Sequence, residues 1–220
     1  MSSGRSLLAR GPWHADQVEV RWSQEHYAPP ESHTLAADAA IAALAERGSP
    51  SHDGLSARLV AHQHTADGRL AMDLQPIRWA LRLVEGDASS SMAALCAVRD
   101  SDGRWLAGRR AAWLASWPGR WALGAGGAVD MDESPFETLA RELAEEWQVE
   151  AAEMRGEALL LLPQAMVLFV GQAWLPPGAA VTMDHEHDEF AWWPADVADW
   201  PQEADEPLRR MAALLCEVPR

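Results

Sequence analysis

Residues 124–149, GAGGAVDMDESPFETLARELAEEWQV, constrain the fold more than any other stretch of the chain. A short apolar strand enters glycines, turns through acidic residues and leads into a helix whose start is well specified. Ser134 is a helix N-cap, Pro135 takes the first helical position, and Glu137 completes a capping box three residues after Ser134. Phe136, Leu139, Ala140, Leu143 and Trp147 recur at helical spacing, so the pattern predicts a helix over 135–147 with one buried stripe. Glu142, Glu145 and Glu146 share another face at i, i+3 and i+4. Like charges so spaced disfavour a helix, and an i,i+4 pair between Glu137 and Arg141 offsets only part of that cost. Two readings follow. One is a solvated acidic face. The other is a rigid cradle for a hard cation, Mg²⁺ or Mn²⁺, whose shell is completed by water and phosphate oxygens.

Around this unit the chain divides near GDASSS, a short flexible polar stretch. Residues 1–88 read as a smaller α+β domain. They hold a strand at QVEVRW, a helix over 35–47 ended by Gly48 and Pro50, and a hairpin of ARLVAHQHT with RLAMDLQPIRWALRL across an Asp-Gly turn. Residues 92–220 read as a second domain. AALCAVRD and RWLAGRRAAW are strands joined across SDG, with further strands near 156–162, 166–174 and 188–193 and a final helix near 203–217. Strands interrupted by one central and one terminal helix predict an α/β or α+β sandwich.

Composition removes several functions. With 220 residues and 48% hydrophobic content the chain can bury a real core. A net charge of −15, with arginine as the only strong cation, opposes binding to DNA or to an anionic membrane. The longest apolar region, ALLLLPQAMVLFVGQAWL, is broken by Pro163, Gln164, Gly171 and Gln172 and predicts two strands rather than a membrane span. Cys96 and Cys216 lie far apart in apolar runs and read as buried free thiols. With no apolar core of signal-peptide length near the amino terminus, a cytoplasmic location is expected.

The spacing of the opening stretch adds a stronger signal. Gly127 is followed after five residues by Glu133, and after seven more by Arg141-Glu142-Leu143-Ala144-Glu145-Glu146-Trp147-Gln148-Val149. This resembles the Nudix box, with every fixed position matched except the last Gly, where Gln148 stands. Asp132 also occupies a place where Gly is common, and HDEFAWWP at 187–194 is similar to the family's late strand. The resemblance spans about residues 92–217 and implies an αβα sandwich around a mixed sheet. It also implies metal-dependent hydrolysis of a diphosphate linked to a second group, in a nucleoside diphosphate derivative or nucleotide. Some family members carry an extra amino-terminal module that binds substrate or forms a homodimer.

Carried over residue by residue, the resemblance makes Glu142, Glu145 and Glu146 metal ligands. Glu133 and Arg141 pair to hold loop and helix in register, and Gly126 and Gly127 let the backbone approach metal or phosphate closely. Glu145 or Glu189 would orient or deprotonate water. Gln148 in the left-handed conformation that Gly usually supplies costs about 1 kcal/mol. Arg109 and Arg110 end a strand beside the glycines, where either grips a phosphate or both form a surface strand pair. Trp113, Trp117 and Trp121 are base-stacking candidates in a chain with twelve Trp. His185 and His187, like His62 and His64, read as polar strand and loop residues because no third nitrogen or sulfur ligand accompanies them. The alternative functions are a non-catalytic nucleotide- or metabolite-sensing regulator on the same fold, and an isoprenoid-diphosphate isomerase. The isomerase needs a poised Cys and Glu that the context of Cys96 does not provide.

Overall fold

In the computed structural model, which describes residues 6–49, 53–114 and 117–216, period-2 apolar patterning gathers most strands into one large sheet. In chain order the elements are β1 (Ser6–Trp13), β2 (Val18–Trp22), α1 (Glu31–Glu46), β3 (Leu55–His64) and β4 (Leu70–Arg78). There follow β5 (Met92–Arg99), β6 (Trp105–Arg110), β7 (Trp121–Leu123), β8 (Ala125–Ala128) and α2 (Pro135–Trp147). The last are β9 (Glu153–Leu161), β10 (Val167–Trp174), β11 (His187–Trp193) and α3 (Glu206–Cys216). The large sheet runs β1-β9-β10-β5-β6-β11, with β8 on β5 and β7 on β6. It is mixed, because β10 and β5 are parallel while the other pairs are antiparallel. A second sheet has the order β2-β4-β3.

The large sheet is covered on both faces, as the sandwich reading requires. Phe136, Leu139, Leu143 and Trp147 of α2 join one core cluster with Cys96, Leu106, Phe169 and the apolar side of the second sheet. Leu208, Ala212 and Leu215 of α3 join another with Trp105, Ala107, Val170 and Trp193 on the opposite face. The apolar 158–175 region is a β9–β10 hairpin. No helix among the described residues is long and apolar enough to cross a membrane.

Three local outcomes differ from expectation. The strand of WALGAGGAV breaks at Gly124, whose φ is +59° and whose missing Cβ makes room for the Cys96 carbonyl, so β7 and β8 pair with different partners. Cys96 is buried, but Cys216 lies on the outer side of α3 and is exposed. An additional strand, β1, comes from the segment before QVEVRW and pairs with β9 across register shifts. Gly11-Pro12 interrupts its pattern and hides it from period-2 reading. Around residue 88 the chain passes from the small sheet to the large one, but β1 belongs to the large sheet. β3 is further bonded to the acidic loop: Ala57 N–H donates to the Val129 carbonyl at 2.7 Å and Met131 N–H to the Leu55 carbonyl at 3.3 Å.

Candidate functional site

The start of α2 forms as the sequence dictates. Glu137 N–H donates to Ser134 Oγ at 3.3 Å, and Ser134 N–H donates to the Glu137 carboxylate at 2.6 Å. The capping box therefore uses Glu137, and the expected Glu137–Arg141 pair does not form. Arg141 turns instead to Glu133, donating from Nε to Oε1 at 2.8 Å and from Nη2 to Oε2 at 3.1 Å. This two-pronged pair, with Thr138 Oγ1 donating to Glu133 Oε2 at 2.7 Å, ties the acidic loop to the helix. The same guanidinium donates to the Ala128 carbonyl, to Glu142 Oε1 at 2.7 Å and to Glu145 Oε2 at 3.3 Å.

Gly126 and Gly127 lie in β8 against β5, and the Gly127 side meets α2. Gly126 N–H donates to Glu146 Oε1 at 3.1 Å. A Cβ on Gly127 would overlap the Glu142 carboxylate, so this glycine is needed for close approach rather than for its dihedral angles. Glu145 is exposed, while Glu142 is mostly and Glu146 almost wholly buried. Burial pushes the Glu142 carboxyl above its ordinary range and the Glu146 carboxyl well above it.

A segment before β11 completes this corner. Thr182 and Asp184 N–H groups donate to the Trp147 and Glu146 carbonyls, both at 2.9 Å, and so dock the segment onto the end of α2. His187 is buried with Nδ1 3.1 Å from Asp184 Oδ1 and Nε2 3.7 Å from Glu146 Oε2, beside the Trp147 ring. Gly108 on β6 leaves the room that the His187 ring fills. Glu186 stands 3.6 Å from Arg110 and adds its negative charge to that acting on Glu142 and Glu146.

Strand alternation decides which of the other predicted residues reach the site. Arg110 lies on the α2 face with Leu106 and Gly108. Arg109 and Glu189 pair with each other at 3.3 Å on the α3 face, among the residues flanking Trp105, Ala107 and Trp193, and are not brought to the carboxylates. Glu186, His187 and Asp184 are the site neighbours that the sequence did not single out for a role here. The acidic DHEHDE run was visible, but not which of its side chains face α2. Trp113 stacks on His185 at 5.5 Å beside this segment, and Trp121 packs on Trp193 in the core. A groove of about 670 Å³ lined by His14, Phe136, Glu137, Ala140 and Met154 contains none of the predicted site residues.

As placed, no three His, Cys, Asp or Glu side chains among the described residues gather about one point, and Arg141 Nη1 stands between Glu142 and Glu145. The residues themselves fit a hard divalent cation. They are carboxylates on one rigid helix face, one pressed against a glycine, and Glu146 Oε2 is buried without a hydrogen-bond partner.

A mixed sheet between two helices, with a capped acidic helix over a glycine strand, defines a class of αβα domains. Residues 90–215 match the NUDIX domain model, and the chain belongs to the NUDIX family. Its fold is also similar to solved structures. The MutT protein of Methanosarcina mazei Go1 is 22% identical over 58% of this chain and 96% of that chain, with a TM-score of 0.45. The NUDIX domain of Shewanella oneidensis NrtR complexed with ADP ribose is 19% identical over 58% and 86%, with a TM-score of 0.44. A C. elegans Ap4A hydrolase is 20% identical over 57% and 99%, with a TM-score of 0.41. A search of curated proteins found no match.

Proposed function

We propose that the chain hydrolyses a diphosphate linkage in a small nucleotide or nucleoside diphosphate derivative, using a divalent metal held by Glu142, Glu145 and Glu146. The observation that carries this reading is the fit of Gly127 to Glu142 together with the buried Oε2 of Glu146, which accepts no hydrogen bond. A bound Mg²⁺ or Mn²⁺ supplies charge neutralisation at the phosphoryl oxygens and acidifies water. Such an ion also removes the burial penalty that otherwise favours protonated Glu142 and Glu146.

The chain's own groups do the rest. Arg141, fixed to Glu133, holds the acidic loop and the helix in register and pins Glu142 and Glu145. The Gly126 N–H fixes one oxygen of Glu146 and leaves the other for the ligand. Arg110 provides positive charge on the same face for a phosphate. For the proton from water, exposed Glu145 and half-buried Glu186 are the candidates on this face, with Glu186 taking the role the sequence suggested for Glu189.

The test is phosphate release with Mg²⁺ over nucleoside triphosphates, nucleotide sugars and dinucleotides, for wild type beside Glu146→Gln. Turnover of one class, with at least a hundredfold loss in the variant, supports the hydrolase. Nucleotide binding without turnover across the panel would replace it with the regulatory reading.

A further inference from the structure

The turn after β4 carries an arginine whose surroundings have no obvious use for its charge. Arg82 lies in the 3-10 turn Trp79–Leu83, half-buried, with its guanidinium 5.4 Å from the Trp79 ring centroid and Nη2 3.9 Å from Met166 Sδ. Among the described residues it makes no ion pair and donates to no oxygen. Other arginines of the amino-terminal part are anchored on oxygens: Arg58 on Ser89 and Gln75, Arg69 on Asp16, and Arg78 on Asp38 and Asp53. A half-buried guanidinium with no ion-pair partner or oxygen acceptor is poorly satisfied, and a thioether and an indole face are weak substitutes.

Its position relates it to the site. Met166 precedes Val167, which is in register with Met92, and the Met92 carbonyl accepts from Val129 N–H at 3.1 Å, next to Asp130. Arg82 therefore sits at the sheet end from which the acidic loop departs. Burial lowers its pKa, and the charges that oppose this are the Glu142 and Asp130 carboxylates. The family match begins at residue 90, so the domain assigns Arg82 no role.

We infer that Arg82 grips a phosphate oxygen of the substrate, so that the segment before the NUDIX domain completes the site. The inference rests on the hydrolase reading, in which an anion is held near Glu142. The geometry separates this role from a structural one. Replacing a partnerless charge among Met166 and Trp79 by an apolar side chain of similar length does not destabilise the fold, whereas it removes a charge-assisted bond to the ligand.

The experiment measures binding of imidodiphosphate, an uncleaved diphosphate, to the full chain in Mg²⁺, with Mn²⁺ affinity by paramagnetic resonance and melting temperature alongside. For Arg82→Met, imidodiphosphate binding weakens about ten- to a hundredfold, Mn²⁺ binding is unchanged or tighter, and melting is unchanged or higher. Arg82→Lys restores part of the affinity. Wild-type imidodiphosphate affinity in Arg82→Met, or loss of its fold, overturns the assignment and leaves Arg82 structural. Failure of wild type to bind imidodiphosphate in Mg²⁺ overturns the hydrolase reading, and the role of Arg82 with it.

Discussion

Gln148 has φ 52° and ψ 41°, the left-handed conformation that ends α2, and its N–H donates to the Ala144 carbonyl. Asp132, the other residue standing where the family pattern favours Gly, has φ 69°. Both positions keep the backbone that Gly would supply while bearing a side chain, and Asp tolerates this better than Gln. Gln148→Gly therefore raises stability by about 1 kcal/mol. That is about 2–4 °C in melting temperature for a chain of this size, with no change in metal affinity. An unchanged or lower melting temperature would show that the left-handed strain is offset elsewhere. Some pairings within 127–149 could be read from the sequence because the partners lie within about two helical turns of each other. Arg141 reaching Glu133 is an example. The exception, Glu137, went to the cap rather than to Arg141, because the unpaired N–H of Ser134 competes for the same carboxylate.

At the scale of elements, the informative misses come from strand faces. Arg109 and Glu189 differ from Arg110 by one or two positions in their pairing, yet one step along a strand moves a side chain to the other face of the sheet. The bulge between His187 and Glu189 shifts that count, so no alternation rule applied to the sequence could have placed them. Between β9, β10 and α3 lies a buried polar group that the sequence gives no reason to expect. Glu157 is fully buried, accepts from Gln172 Nε2 at 2.9 Å and lies 3.4 Å from Arg155, with Oε2 unbonded. Burial raises its pKa above the ordinary value. The folded protein thus holds a proton that the unfolded chain has released, and stability falls as pH rises from the unfolded pKa through the folded one. Glu157→Gln removes this slope. The variant is more stable than wild type at pH 7, and its advantage shrinks below the unfolded glutamate range, as denaturation at pH 4 and pH 7 will show. An advantage that does not change with pH would mean that Arg155 compensates the charge fully.

On the scale of the molecule, 33 acidic against 18 basic residues leave a net charge of −15, and several acids crowd the mouth of α2. On the proposed function, a divalent ion that binds the folded chain stabilises it by mass action, about 2.7 kcal/mol at a hundred times the dissociation constant. Mg²⁺ therefore raises the melting temperature, EDTA reverses the rise, and Glu146→Gln blunts it. An equal rise with NaCl at matched ionic strength would reduce the effect to screening of surface charge. The sequence by itself determined the capped helix, its acidic face, the glycines beneath it, the β9–β10 hairpin and the mixed sandwich. The helix and hairpin follow from local caps and periodicity, while the role of the glycines and the mixed sheet were implied by a spacing over residues 127–149 that resembles the Nudix box. Only the tertiary structure decided that β1 joins the large sheet, that β3 bonds to the acidic loop, that Glu186 and His187 face α2, and that Arg82 lies at the sheet end from which the acidic loop departs. Those outcomes depend on register and on contacts between segments distant along the chain, and no local propensity encodes which face or which neighbour a side chain will meet.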